Sequence, residues 1–265
     1  MKKLALAIAA ASTLGMGAAQ ATQIQIDASG ILGMAPGTYQ TDFFDLMTFS
    51  GFNPTSTYID DDGVAGITTG DTVLDSGSTT VGQLNPLGFG NNLGGFGSDW
   101  GMNVSWNLAG ITQVVGNDYL GVFNSGTVNF EICNGIGCTT ALTLDIFGSG
   151  LSVPGSGSVG IEIYGNVTFA YANTFFDNQS RDFADILLDG EIIWGLASSN
   201  ITGIDNEPVL VGQNSDGFDV YERQTRLDSV DVSFQVPEPT SVAILGVGLL
   251  GMGFAARRRR NNKAA

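Results

Sequence analysis

Residues 128–146 read VNFEICNGIGCTTALTLDI, and this stretch decides the fold class. Val128, Phe130 and Ile132 alternate with polar residues, and a second alternating run follows Cys138. Because successive side chains of a strand point to opposite faces, each run predicts a strand with one apolar face. The Asn-Gly dipeptide between the runs is typical of tight hairpin turns. The stretch is therefore predicted to form an antiparallel β-hairpin.

The rest of residues 22–236 repeats this pattern in short runs separated by Gly, Asn, Asp and Ser. Such runs predict many short strands joined by turns. Asp189-Gly190 predicts a second hairpin, between residues 186–188 and 192–194. Two short segments fit helices instead, residues 42–47 and 178–186. The expected domain is all-β, an antiparallel β-sandwich, of which the jelly roll is one form.

Residues 22–236 are strongly acidic. They hold 25 of the 26 acidic side chains and three arginines, which gives this part a formal charge of −22. A field of this sign repels phosphate backbones, so nucleic acid is excluded as a partner. The chain also has no histidine, and no lysine between Lys3 and Lys263. These absences exclude Ser-His-Asp and Cys-His nucleophiles, a Schiff-base lysine and histidine-ligated zinc or iron.

Carboxylates remain available for chemistry. Glycoside hydrolysis needs two of them, about 5 Å or about 6.5 to 9.5 Å apart. The candidates by residue type are Glu131, Glu162, Glu191 and Glu222. No spacing selects a pair among them. We therefore expect no catalytic residues and a protein that is not an enzyme, with carboxylate-only hydrolysis as the alternative.

The first 21 residues have the three parts of a secretory signal peptide. Lys2 and Lys3 form a basic start, an apolar run follows, and Ala19-Gln20-Ala21 has the small-x-small pattern of a cleavage site. We predict that signal peptidase cuts before Thr22. The apolar run is shorter than the ~20 residues that a membrane span needs, which argues against a permanent N-terminal anchor.

Residues 237–265 have a second three-part pattern. Pro237, Glu238 and Pro239 are followed by an apolar stretch at residues 240–256, which predicts a short transmembrane helix. The stretch ends in an arginine cluster, formed by Arg257, Arg258, Arg259 and Arg260. By the positive-inside rule this cluster acts as a stop-transfer signal and stays in the cytoplasm, so that residues 22–236 form the ectodomain.

The order Pro-Glu-Pro, short apolar helix and arginine cluster resembles the PEP-CTERM sorting signal of Gram-negative bacteria that make exopolysaccharide. In that family a membrane protease, the exosortase, processes the chain near the Pro-Glu-Pro. The resemblance implies that residues 237–239 are its recognition motif, and that the helix holds the chain in the inner membrane only transiently. It also implies transit through the periplasm to the cell surface or extracellular matrix, and a non-catalytic structural or adhesive role in exopolysaccharide, biofilm or floc.

Cys133 and Cys138 flank the loop of the predicted hairpin. The signal peptide places them in an oxidising exterior, where two cysteines beside a turn are expected to pair. Four residues separate them, whereas a redox-active C-x-x-C motif has two. We therefore predict a disulfide that staples the hairpin locally.

Residues 60–75 contain the densest group of carboxylates. Four of them are candidate Ca²⁺ ligands, namely Asp60, Asp62, Asp71 and Asp75. Carboxylate oxygens in a loop that glycine allows to turn tightly suit this cation. The EF-hand spacing is incomplete, because Tyr58 and Thr69 occupy its first and last ligand positions. A calcium site is therefore one hypothesis, and a solvated acidic turn is the other.

Aromatic side chains on an exposed β-face can stack on sugar rings. The candidates are Trp100, Trp106, Tyr119 and Tyr164. A carbohydrate-binding, lectin-like module, with or without calcium, is therefore the alternative function. In the competing interpretation these aromatic residues fill the core.

Overall fold

The computed structural model describes residues 21–52, 54–86, 92–116, 118–152, 159–201, 207–224 and 227–236. These residues form fourteen strands and one short helix, α1 (Phe183–Leu188). The strands are β1 (Ile24–Ile26), β2 (Leu46–Phe52), β3 (Thr55–Asp60), β4 (Thr72–Thr80), β5 (Gln83–Asn85), β6 (Gly101–Val115), β7 (Asp118–Cys133), β8 (Cys138–Ser152), β9 (Val159–Ala170), β10 (Phe175–Asp177), β11 (Trp194–Ile201), β12 (Val209–Gln213), β13 (Asp219–Gln224) and β14 (Leu227–Gln235).

Twelve strands pair into one continuous antiparallel sheet, in the order β12-β13-β3-β4-β6-β7-β8-β9-β11-β14-β2-β5. β1 and β10 form a separate two-stranded ribbon. The expected all-β, antiparallel class is thereby confirmed. A sandwich packs two separate sheets face to face, whereas backbone hydrogen bonds join these twelve strands into a single curled sheet.

The predicted hairpin at residues 128–146 lies in the middle of this sheet, within β7 and β8. Val128 pairs opposite Leu144, and Phe130 opposite Leu142, so that apolar side chains of both strands share one face. Phe130 is fully buried. The alternating pattern therefore identified both the strand pairing and its buried face. Each strand extends further than its apolar run, to 16 residues in β7 and 15 in β8.

The sheet curls so that strands far apart in its order face each other across the interior. The ring centroids of Phe130 in β7 and Phe234 in β14 lie 6.2 Å apart, although three strands separate β7 from β14 in the sheet. A bulge between β6 and β7 contributes to the bend. There Gly126 has a φ of 129°, and a Cβ would lie 2.2 Å from the carbonyl oxygen of Asn107. Only glycine fits this bend.

The second predicted hairpin is wrong. Residues 186–188 belong to α1, whose first turn is capped by the Asp182 carboxylate, which accepts a 3.1 Å hydrogen bond from the Ala184 amide. Gly190 has a φ of 78°, and its amide donates to the Leu187 carbonyl, so Asp189-Gly190 ends the helix. A glycine with positive φ suits both a helix end and a tight hairpin turn, so the dipeptide alone does not distinguish them. The predicted helix at residues 178–186 is present in part, because α1 begins at Phe183.

The predicted helix at residues 42–47 is also wrong. Phe44 forms an antiparallel bridge with Ile24, and β2 begins at Leu46. Met47 pairs opposite Val232 of β14. Phe44 and Met47 are both fully buried. Their apolar side chains therefore belong to an extended segment that packs into the core.

The predicted processing segments lie outside the described residues. This applies to the signal peptide up to residue 20, including Ala19, and to residues 237–265 with the Pro-Glu-Pro, the transmembrane helix and the arginine cluster. Within the ranges described above, no helix combines the length and the apolar character that a membrane crossing requires.

Candidate functional site

Cys133 and Cys138 lie directly opposite each other where β7 ends and β8 begins. Their sulfurs are 2.07 Å apart, so the two cysteines are paired as predicted. The turn between them is hydrogen-bonded as well, because the Asn134 amide donates to the Gly137 carbonyl at 2.9 Å. The disulfide therefore staples a local hairpin tip.

The acidic loop, residues 61–71, joins β3 to β4. It brings three of the four candidate calcium ligands together. Asp60, Asp62 and Asp71 each offer one carboxylate oxygen, and these three oxygens lie within 4.8 Å of one another. The side chain of Asp71 is fully buried, whereas that of Asp62 is exposed.

The same three carboxylates accept hydrogen bonds from the loop. The Gly66 amide donates to Asp60 at 2.7 Å, and the Thr68 hydroxyl donates to Asp62 at 2.7 Å. The Thr68 amide donates to Asp71 at 2.6 Å. The bonds from Thr68 and from the Val64 amide hold the pKa of Asp62 below its ordinary value. These carboxylates therefore shape the loop themselves, and a calcium site here stays a prediction.

Asp75 lies apart from the acidic loop, inside the curled sheet. It is 7% exposed, and its two carboxylate oxygens accept hydrogen bonds from the Ser56 hydroxyl at 2.6 Å and from the Trp106 indole N–H at 2.7 Å. Burial raises the pKa of the Asp75 carboxyl, and these two bonds and the charge of Arg223 oppose that rise only in part. The structure therefore does not bring Asp75 together with the other three aspartates.

Asp75 lines a cavity of about 130 Å³, which we call the interior cavity. Strands from both sides of the curled sheet contribute its walls, and most of the lining is apolar. Representative wall residues are Phe49, Val104, Leu120, Phe130, Ile146 and Val232. The charged residues of the lining are Asp75 and Arg223.

The polar side of the interior cavity is a row of residues across three strands. Arg223 in β13 pairs opposite Ser56 in β3, and Ser56 pairs opposite Asp75 in β4. Directly opposed residues of a sheet point to the same face, so the three side chains share the inner face. The register therefore places a cation, a hydroxyl and a carboxyl beside one another in the mostly apolar interior cavity.

Arg223 is 5% exposed and is held from one side. Its Nη2 donates to the Tyr58 hydroxyl at 2.7 Å and to the Tyr119 carbonyl at 2.6 Å. The guanidinium carbon lies 5.5 Å from the centroid of the Tyr58 ring, within the range of a cation–π interaction. Burial raises the pKa of the Tyr58 phenol, so this hydroxyl stays protonated beside the arginine. The cation is therefore fixed in position without an ion pair to any carboxylate that the structure describes.

The four candidate sugar-stacking residues have different surroundings. Trp100 is 2% exposed, and its indole N–H donates to the Gly94 carbonyl at 2.6 Å, so it belongs to the core. Trp106 lines the interior cavity. Tyr119 packs edge-on against Tyr58, with ring centroids 6.4 Å apart. Tyr164 stacks on the exposed Phe147 and belongs to an outer face.

This outer aromatic face consists of Phe147, Tyr164 and Trp194. Tyr164 stacks on Phe147 with ring centroids 6.4 Å apart. In the pairing of β9 with β11, Leu196 lies opposite Tyr164, and Trp194, two residues before Leu196, shares its face. Phe147 is 54% exposed and Trp194 51%. Trp194 is not among the four sugar-stacking residues predicted from the sequence, where it falls in the second predicted hairpin.

Two interactions hold individual members of the outer aromatic face. The Tyr164 hydroxyl donates to the Glu162 carboxylate, and this bond raises the pKa of the Tyr164 phenol. Trp194 begins β11 and follows the fully buried Ile193, whose carbonyl accepts a 2.8 Å hydrogen bond from the Val167 amide. The outer aromatic face therefore lies on strands whose opposite face packs into the interior of the curled sheet.

The four candidate glutamates lie in separate parts of the fold. Glu131 lies in β7, Glu162 in β9 and Glu222 in β13, and Glu191 follows α1. Strand pairing places none of these four directly opposite another. Glu191 instead forms an ion pair with Arg181 at 3.3 Å. Arg181 also forms an ion pair with Asp177.

The predicted cleavage residue Thr22 is described, and it lies beside the last strand. Its amide donates to the Phe234 carbonyl at 2.8 Å. β14 then ends at Gln235, two residues before Pro237. The first residues after the predicted signal-peptide site and the last residues before the Pro-Glu-Pro are therefore neighbours in the fold.

Comparison with known proteins bears on the C-terminal part of the chain. No curated protein and no solved structure matches the chain. Residues 235–260 match the family model described as the PEP-CTERM protein-sorting motif. This confirms the resemblance drawn from the Pro-Glu-Pro and the arginine cluster. The chain thus carries, at residues 235–260, a PEP-CTERM protein-sorting motif, which implies processing by an exosortase-type machinery and a cell-surface or extracellular destination.

Proposed function

We propose that this protein has a non-catalytic, structural or adhesive role at the cell surface or in the extracellular matrix, in association with exopolysaccharide. The observation that carries the proposal is the sorting motif at residues 235–260. In the proposed pathway signal peptidase cuts before Thr22, and an exosortase later cuts near residues 237–239. The mature protein would then consist of the β-rich part, delivered through the inner membrane and periplasm.

The position of the motif supports this pathway. β14 ends at Gln235, so a cut near the Pro-Glu-Pro removes no described strand. Because β14 lies between β11 and β2 in the sheet, losing it would divide the fold. A processing site placed just after this strand separates the sorting signal from an intact sheet.

The pathway is tested by changing the motif in the producing bacterium. Replacing Pro237, Glu238 and Pro239 by alanine should leave the protein unprocessed and retained in the envelope, while wild type reaches the surface or the medium. The matched control is Glu207→Ala, which removes an exposed glutamate outside the motif and should be processed normally. Normal processing and release of the triple variant would refute the proposed role of the motif.

A second candidate function is carbohydrate binding, and the outer aromatic face favours it. Phe147 and Trp194 present half-exposed rings on the two strands that flank the strand of Tyr164, which is the kind of surface on which sugar rings stack. The test is retardation of the protein in gels that contain the host exopolysaccharide. Trp194→Ala should abolish retardation, and Ile136→Ala, at a 97% exposed position on the hairpin tip, should not. Equal mobility of wild type and Trp194→Ala would reject the outer aromatic face as the binding surface.

Glycoside hydrolysis stays the least supported alternative. It predicts release of reducing ends from the polysaccharide and loss of that release in a single Glu→Gln variant at position 131, 162, 191 or 222. Our proposal predicts no release above a boiled control.

A further inference from the structure

We propose that the interior cavity is a binding site for a small amphipathic carboxylate, whose anionic group meets Arg223 and whose apolar body fills the rest of the cavity. The inference concerns the inside of the curled sheet. It is independent of both the sorting pathway and the outer aromatic face.

The first argument is the unused hydrogen-bonding capacity of Arg223. Its Nε and Nη1 are buried and have no hydrogen-bond partner among the described residues, whereas Nη2 makes two bonds. A guanidinium stays charged at any physiological pH. Buried charges are normally paired and buried donors are normally bonded, so two vacant N–H groups on one buried cation point to a missing acceptor.

The second argument concerns the sign of the missing group. Asp75, the carboxyl in the same row, already accepts one bond on each oxygen, from Ser56 and from Trp106. Each oxygen of Asp75 therefore already has a hydrogen-bond donor. The vacant groups in the cavity are donors on a cation, so they select an acceptor that is anionic. A carboxylate is such an acceptor, because its hydrogen bonds to a guanidinium are charge-assisted and stronger than those between neutral groups.

The third argument concerns the remainder of the cavity. Apart from the row of Arg223, Ser56 and Asp75, its wall is formed mainly by aliphatic and aromatic side chains such as Leu120, Phe130 and Ile146. The volume is about 130 Å³. An engineered apolar cavity of about 150 Å³ accommodates benzene, so this one has room for a body of roughly one aromatic ring or a short alkyl chain. Benzoate and hexanoate are therefore suitable probes.

The experiment is isothermal titration of the purified full-length protein with benzoate and with hexanoate. The uncharged comparison is benzyl alcohol, which has a similar ring and no anionic group. We expect saturable binding of at least one carboxylate, and binding of benzyl alcohol at least about tenfold weaker, because a hydrogen bond to a charged group contributes enough for about one order of magnitude in Kd.

Two variants distinguish the contribution of the Arg223 charge from that of the cavity volume. Arg223→Met removes the cation at similar length and should weaken carboxylate binding at least tenfold. Ala197→Phe keeps Arg223 but places a ring in the cavity, since Ala197 lines it, and should abolish binding of both carboxylates. The matched control is Leu188→Ala, at an 84% exposed position on α1, which should bind like wild type. Circular dichroism of each variant verifies that it is folded.

The outcomes are distinct. Absence of carboxylate binding to wild type would overturn the proposal. So would benzyl alcohol binding as tightly as benzoate, because the site would then be merely apolar. Unchanged binding in Ala197→Phe would place the ligand elsewhere on the protein. If Arg223→Met does not fold, Ala197→Phe together with the benzyl alcohol comparison still decides between a carboxylate site in this cavity and none.

Discussion

Arg223 and Tyr58 contact each other inside the curled sheet, with Nη2 of the arginine 2.7 Å from the tyrosine hydroxyl. The arginine lies in β13 and the tyrosine in β3, and 165 residues separate them along the chain. Tyr58 also donates to the Tyr119 carbonyl of β7 at 3.2 Å. One buried arginine thus depends on three strands that are assembled from distant parts of the sequence.

The buried Asp75 should make stability depend on pH in a defined direction. Its pKa is raised in the folded state, so above about pH 4, where an unfolded aspartate ionises, the native protein holds a proton that the unfolded chain releases. The stability from this group is full below about pH 4 and falls as pH rises through the folded pKa. Arg223 from β13 and Tyr58 from β3 face it, and the arginine limits the effect.

The check is urea unfolding of wild type and Asp75→Asn from pH 4 to pH 8. The unfolding free energy of wild type minus that of the variant should decrease as pH rises. Asp62→Asn is the control, because the pKa of this exposed carboxyl is lowered, so its difference should not decrease over the same range. A difference for Asp75→Asn that is constant or grows with pH contradicts the assignment.

The disulfide at the tip of the β7–β8 hairpin should contribute modestly. Replacing both Cys133 and Cys138 by serine opens a six-residue loop, for which the chain-entropy relation gives about 2 kcal/mol. Urea unfolding of the double variant should show a loss of this size with the strand content retained. Complete unfolding would mean that the disulfide supports much more than the hairpin tip.

Truncation of the core should be far more damaging. Phe130 is fully buried and packs edge-on against Phe234 across the curled sheet, so Phe130→Ala should cost about 3 to 5 kcal/mol. Ile136→Ala, at a 97% exposed position, should change stability by less than about 0.5 kcal/mol. Similar losses in the two variants would show that β7 and β14 are not packed as described.

The calcium hypothesis predicts a ligand effect at the acidic loop. If Asp60, Asp62 and Asp71 hold Ca²⁺, the melting temperature should be higher in millimolar Ca²⁺ than in EDTA, since a ligand that binds the native state stabilises it. Asp62→Asn should remove the increase, whereas Asp75→Asn should retain it. Identical melting in Ca²⁺ and EDTA leaves the acidic loop as a solvated turn.

The correctly predicted parts of the fold are those that local sequence patterns determine. The alternation around Phe130 and the turn between Cys133 and Cys138 lie within one hairpin, so neighbouring residues contain the needed information. The hairpin predicted at Asp189-Gly190 was wrong because a glycine with positive φ occurs at helix ends as well as in tight hairpin turns.

The interior cavity could not be predicted in the same way. Arg223, Ser56 and Asp75 come together through the register of β13, β3 and β4, and that register depends on long-range pairing. Asp75 was grouped with Asp71 because the two are close in sequence, yet it lies on the inner face of β4, apart from the acidic loop. Arg223 is one of three arginines in residues 22–236, and no local pattern around it predicts its buried position.

The most direct test of the proposed export and sorting is intact-mass spectrometry of the protein from culture medium, envelope and cytosol of its producing cells. The account predicts a mature species that starts at Thr22 and ends near residues 237–239, found outside the cytosol. A full chain of 265 residues, accumulated and folded in the cytosol, would contradict it.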